Sequence, residues 1–241
     1  MHERVERKSL LGHRCSVFAT IFAFLIFFMA EGISDTAGIH RVDEIKRAFK
    51  KFRGRYVLYV SKGEFRLYVY NRRGRIITQY PVGYGLNPDR KPKLYEGDSR
   101  TPEGYYRVVQ VLSMDANKKT IAYKKLKELN DRYLRAEDGH FKFGQPDVDT
   151  GRNAYGPRLF WIDYPNEKDR ENYEEAVKRG LVPMVDGKVA GIGYGITIHG
   201  NNDPPSVGEL STAGCIIMYN RDIRALSKYV RVGTPVIISA D

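Results

Sequence analysis

The spacing of apolar residues changes period several times along the chain, and each change marks an element. From Tyr56 to Val82 the period is two. Tyr56-Val57-Leu58-Tyr59-Val60 is followed by Glu64–Tyr70, with Phe65, Leu67 and Val69 on one face, and then by Arg75–Val82. Turns fall at Ser61-Lys62-Gly63 and Asn71-Arg72-Arg73-Gly74. Such alternation places every second side chain on one face of a strand, and links this short join antiparallel neighbours. Further strands are predicted at Tyr105–Val111, at Phe160–Tyr164, at the beginning and the end of the segment Ile196–Met218, and at Thr234–Ser239, which closes the sheet.

Helical spacing appears in four places. Val42, Ile45, Ala48 and Phe49 recur among Lys and Arg. Ala122, Leu126, Leu129 and Tyr133 do so within a Lys-rich segment, Met114–Leu134, that reads as an insertion. Asn166 caps a helix with Glu167 and Asp169 in its first turn and Lys178-Arg179-Gly180 at its end. Asn220 is expected to cap the last helix, whose apolar stripe is Ile223, Leu226 and Val230 and which Gly233 ends. The predicted fold class is mainly β with peripheral helices, a β-sandwich or small barrel built from an antiparallel meander and carrying a helical insertion. Asp138–Gly156 is expected to be a long irregular loop, and the whole of 112–156 an insertion or lid.

The N-terminus divides the chain further. Arg4, Arg7, Lys8 and Arg14 precede an apolar run, Val17–Ala30, that is short for a membrane span. Residues 1–32 read as a secretory signal peptide or as an uncleaved N-terminal anchor, and either exports the body to the periplasm or cell envelope. Residues 33–54 read as a linker and a short basic helix, and membrane contact is expected only through the N-terminal segment. The formal net charge of +11 belongs almost wholly to the body, which favours anionic partners. No nucleic-acid partner is expected, because aromatics are not interleaved with the basic residues as in a recognisable module. The glycine-rich stretches at Gly83–Pro92 and Gly191–Gly195 lack the Lys-Ser/Thr or the following helix of a nucleotide loop.

Export changes the meaning of the cysteines. Of the two, Cys15 lies in the leader, so Cys215 is the lone thiol of the mature chain, without a disulfide partner. No metal and no cofactor are expected: Cys-based zinc sites are excluded, and His40 and His140 sit in no ligand pattern. In Ile196–Met218 a short strand delivers His199, followed by Gly200. Ser211-Thr212-Ala213-Gly214-Cys215 then runs into a second apolar piece. If the two pieces pair, imidazole and thiol meet, which is the equipment of a cysteine nucleophile with a general base. The backbone amides of Gly214 and Cys215 are candidates for an oxyanion site. A buried cysteine acting as a small hydrophobe is the bland alternative. The third group that orients the imidazole is expected to be a backbone carbonyl, with Asp203 a weak candidate.

His-Gly, a loop, then Ser/Thr-x-Gly-Cys resembles the catalytic motif of the L,D-transpeptidase (YkuD) family, over Tyr56–Ile238. Glu96–Gly104, Tyr164-Pro165-Asn166 and Gly233-Thr234-Pro235-Val236 match as well, the first two most like the YafK-type branch. Ala213 stands where many members have His, and Ile217 where they have a polar or basic residue. These departures bear on the choice of substrate and acceptor. The resemblance implies a YkuD-like catalytic domain over 55–239, acting on peptidoglycan stem peptides. Cys215 would form a thioester at an L–D bond and pass the acyl group to an amine, such as a second stem or a wall-attached protein, with His199 as acid and base. Arg100, Thr212 and Gly200 are expected to contact substrate, although an ion pair between Asp98 and Arg100 that braces the loop is the favoured reading of that pair. The alternatives are a hydrolase of the same fold, an exported peptidase of L,L bonds, or a non-catalytic wall-binding module.

Overall fold

The alternation after Tyr56 becomes three antiparallel strands, β1 (Tyr56–Ser61), β2 (Arg66–Asn71) and β3 (Ile76–Pro81), in a computed structural model that describes residues 40–241. The chain divides into residues 1–42 and a unit from Asp43 to Asp241. The leader predicted over 1–32, and residues 33–39 of the predicted linker, lie outside the described residues. Among the described residues no helix is long and apolar enough to cross a membrane.

Besides β1–β3, the strands of the unit are β4 (Tyr84–Gly85), β5 (Gly104–Ser113), β6 (Phe141–Lys142), β7 (Gln145–Asp149), β8 (Arg158–Ile162), β9 (Met184–Val185), β10 (Lys188–Val189), β11 (Thr197–His199), β12 (Leu210–Thr212), β13 (Ile216–Ile217) and β14 (Pro235–Ser239). Eight of the strands form one sheet in the order β13-β11-β8-β5-β14-β1-β2-β3. The meander expected from the short turns is present as β1–β3. Two pairs of this sheet are parallel instead: β1 with β14, and β11 with β13. Each joins segments separated by a long connection, which is what a parallel pairing requires.

Period two decides which core each residue enters. Leu58 and Val60 of β1 and Leu67 and Val69 of β2 join Tyr106, Phe160, Ile198 and Val236 in the main core. Their neighbours Val57, Tyr59, Tyr68 and Tyr70 face the other way, where Ile45 and Ala48 of helix α1 (residues 40–51) cover them. Burial of a side chain such as Ile45 contributes roughly 1.5–3 kcal/mol.

The segment predicted as an insertion packs on the sheet through a separate small cluster. Leu126 of α2 (Ile121–Asp131) packs on Leu112 and Leu159 of β5 and β8. The stretch expected to be irregular over 138–156 contains the hairpin β6–β7. Helix α3 (Glu167–Lys178) starts with a complete capping box: the Asn166 side chain accepts from the Lys168 and Asp169 amides, and Asp169 accepts from the Asn166 N–H. The last helix departs from expectation. It is α4 (Asn220–Leu226), capped at Tyr219, and a 3-10 turn follows it well before Gly233. Asn220 does not cap, because its side-chain oxygen accepts from the Asn201 N–H at 2.9 Å and so holds the loop after His199.

Candidate active site

Strand geometry brings the imidazole and the thiol together. On β11 Ile198 points into the core, so Thr197 and His199 share the opposite direction. β13 runs parallel to β11, with Ile198 beside Ile216 and His199 beside Ile217. Cys215, one residue ahead of β13, therefore arrives next to Thr197. The Thr197 hydroxyl donates to Cys215 Sγ at 3.4 Å, and the His199 imidazole lies close enough to the sulfur to favour its thiolate. The thiol in turn reaches the Gly195 carbonyl at 3.7 Å.

His199 is 7% exposed, and its Nδ1 lies 2.5 Å from the Gly200 carbonyl. A carbonyl only accepts, so Nδ1 carries a proton and Nε2 is left for the sulfur. The orienting group is thus a backbone carbonyl. Asp203 is engaged elsewhere, since its carboxylate accepts the Phe143 N–H at 2.7 Å. Burial alone raises the Cys215 thiol. The hydrogen bond and charge of His199, together with hydrogen bonding to Thr197, outweigh it and hold the thiol below its ordinary range.

The turn that carries the sulfur is held from behind. Gly214 has φ +132°, and a Cβ there would lie 2.7 Å from the Arg100 carbonyl oxygen. Thr101, fully buried, donates through Oγ1 to the Gly214 carbonyl at 2.8 Å and accepts from the Gly85 N–H at 2.9 Å. Thr212 Oγ1 donates to the Cys215 carbonyl at 2.7 Å and accepts the Gly214 N–H at 3.1 Å, so in this state that amide is engaged within the turn. The segment Glu96–Gly104 is the backing of this turn. Asp98 accepts from the Leu94, Tyr95 and Arg100 amides and from Lys93 Nζ at 2.8 Å. The Arg100 guanidinium does not pair with Asp98. It grips both oxygens of Asp89, Nε at 3.0 Å, and lowers that carboxyl's pKa.

A cleft of ≈ 200 Å³ opens over the sulfur and the imidazole. Thr212 and Ala213 form part of its wall, whereas Arg100 and Gly200 are not among the lining residues. Gly200 instead packs against Gly156, where a Cβ would lie 2.8 Å from Pro157 Cδ. The opposite wall comes from the insertion: Leu134, His140, Phe141 and Tyr155. Asn202 Nδ2 donates to the Thr150 and Arg152 carbonyls at 2.6 Å each, so the loop after His199 is stapled to the insertion. The Tyr155 ring lies 5.0 Å from the imidazole, at 52°. Asn130 of α2, buried, sets its position by accepting the Tyr155 N–H at 3.0 Å and donating to the Gly156 carbonyl at 2.8 Å. Burial, then the charge of Cys215, raises the Tyr155 hydroxyl. Tyr164 packs in the main core and Trp161 against the small cluster of Leu112, Leu126 and Leu159.

Four residues beside the sulfur and its supports escaped the sequence reading: Thr197, Thr101, Asn130 and Tyr155. Only Thr197 carried a usable signal, since it lies two positions before His199 on a strand. Among the described residues no cluster of three or more His, Cys, Asp or Glu is placed to hold a metal ion.

The pairing of strands and the thiol–imidazole cleft define a cysteine-centred site on a mixed sheet. Residues 55–238 match the YkuD family, the L,D-transpeptidase catalytic domain, and the chain belongs to that family. A putative L,D-transpeptidase YkuD of Bacillus licheniformis is 48% identical over 46 residues, covering 19% of this chain and 27% of the relative. Among solved structures, Bd1075 of Bdellovibrio bacteriovorus is 25% identical, with TM-score 0.44, over 79% of this chain and 49% of that one. The helical cell shape determining protein Pgp2 of Campylobacter jejuni is 22% identical, with TM-score 0.45, over 78% and 48%. The chain thus spans about half the length of these structures and less of the curated relative.

Proposed function

We propose that the protein is a cysteine-dependent acyltransferase that acts on peptidoglycan stem peptides in the cell envelope. The single observation that carries this reading is the meeting of Cys215 and His199 at an open cleft, with the thiol held below its ordinary range. The Cys215 thiol gives its proton to His199 Nε2, the thiolate attacks the carbonyl at the L–D bond and a C–S bond forms. The developing oxyanion is received by the Cys215 N–H, and by that of Gly214 once Thr212 releases it. As the tetrahedral intermediate collapses, the C–N bond breaks and His199 gives a proton to the leaving amine. An amine on a second stem or a wall protein then attacks the thioester, His199 takes its proton, and the thiolate is restored.

Exposure of the purified protein to a donor stem peptide, followed by intact-mass measurement, tests this. A mass gain equal to the acyl group, mapped to Cys215 and lost in Cys215→Ala, is expected, with gain slowed at least about 100-fold in His199→Ala. No gain on Cys215, with a folded protein that still binds sacculi, would leave a wall-binding module. Muropeptide analysis then separates amine from water as acceptor: new cross-links in the first case, shortened stems in the second.

A further inference from the structure

We infer that Thr197 is a further catalytic residue: its hydroxyl is a dedicated donor to the Cys215 thiolate, delivered by the strand that delivers His199. The proposal rests on the assignment of Cys215 as nucleophile and deepens it.

The geometry is local and forced. Residues two apart on a strand point the same way, so β11 presents Thr197 and His199 together, while Ile198 between them is buried in the main core. The parallel pairing sets the residue before Ile216 beside the residue before Ile198. That register places Cys215 against Thr197, and the Oγ1–Sγ distance is 3.4 Å. Thr197 is 2% exposed, so its hydroxyl meets the sulfur on the side away from solvent.

The surroundings of the sulfur explain why a second donor matters. The thiol form has an acceptor in the Gly195 carbonyl at 3.7 Å, and ionisation gives that hydrogen bond up. A carbonyl dipole left facing a thiolate opposes ionisation, as does burial. A hydroxyl that donates favours the thiolate and offsets both, and hydrogen bonds to charged groups are stronger than neutral ones. It also keeps the sulfur aligned while His199 protonates the leaving amine. The titratable groups that face the sulfur are His199 from β11 and Tyr155 from the insertion. His140 and Asp203 line the same cleft, the latter tied to the Phe143 N–H. All four are unchanged by substitution at Thr197.

The test is the pH profile of Cys215 alkylation by iodoacetamide in the full chain, read by peptide mapping so that Cys15 is counted separately. For Thr197→Val, which keeps the shape and removes the hydroxyl, the midpoint should rise by roughly one pH unit, with rates near pH 7 falling about tenfold. Thr197→Ala should shift equally and Thr197→Ser should restore the parent profile, so that the shift follows the hydroxyl and not the volume. Circular dichroism checks that each variant is folded. Superimposable profiles for the parent, Thr197→Val and Thr197→Ala would overturn the proposal, as would a Thr197→Ser profile that moves with Thr197→Ala. No stem peptide enters this measurement. A shifted profile without acylation by stem peptides would sink the acyl-transfer reading and leave the donor role standing.

Discussion

Gly214 shows how much a single backbone position decides. Its φ of +132° is closed to side-chain-bearing residues, and the Arg100 carbonyl stands where a Cβ would go. Gly214→Ala should therefore cost roughly 1–3 kcal/mol, read as a lower urea midpoint, and should slow donor acylation because the turn under the sulfur must shift. At the same scale the thiol's lowered pKa makes a pH prediction. Alkylation of Cys215 should persist at a pH where an ordinary thiol has become unreactive, and His199→Ala should move the profile upward, since the imidazole is the largest influence favouring the thiolate. His199 and Cys215 were legible in the sequence as the ends of a Gly-flanked loop. The partner of Arg100 was not: Asp89 and Asp98 are both near in the chain, and only the loop's path chooses Asp89.

Among the elements, the insertion is the least predictable and the most consequential. Its helix was visible from the spacing of Ala122, Leu126 and Leu129, yet nothing in that pattern says that Asn130 reaches Tyr155 or that Tyr155 lies on the imidazole. Asn130→Ala would leave the Tyr155 N–H and the Gly156 carbonyl unpaired in a buried place, a loss of about 1–3 kcal/mol. A lower thermal midpoint is expected, with slower acylation, while Asn130→Asp, which keeps an acceptor for the Tyr155 amide, should fall between. Equal acylation rates in parent and Asn130→Ala would mean that Tyr155 keeps its place without α2. Asn220 repeats the lesson from the other side. A residue suited to cap its own helix was taken by a stronger obligation, the amide of Asn201.

For the whole molecule, buried phenols set the alkaline limit of the fold. Tyr59, Tyr106 and Tyr164 are pushed well above the usual phenol range, chiefly by burial. The unfolded chain releases these protons near pH 10 and the folded chain keeps them, so above that pH the unfolded state binds fewer protons and stability falls. Lys62, whose pKa burial lowers, and Cys215, whose thiol is held low, act in the opposite sense, but they are two groups against three. The urea midpoint should drop as the pH rises through and beyond about 10, and a flat or rising midpoint there would refute this balance. Local pattern determined a good deal of the protein: the meander from its period of two and its short turns, the helices from their apolar stripes, the capping box from Asn166 and Asp169, and the pair His199 and Cys215 from their motif. Tertiary structure alone decided that β11 and β13 run parallel, that Thr197 meets the sulfur, and that the insertion walls the cleft. Those outcomes rest on hydrogen bonds and packing between segments far apart in the chain, and periodicity within a segment carries no information about which distant segment it will meet.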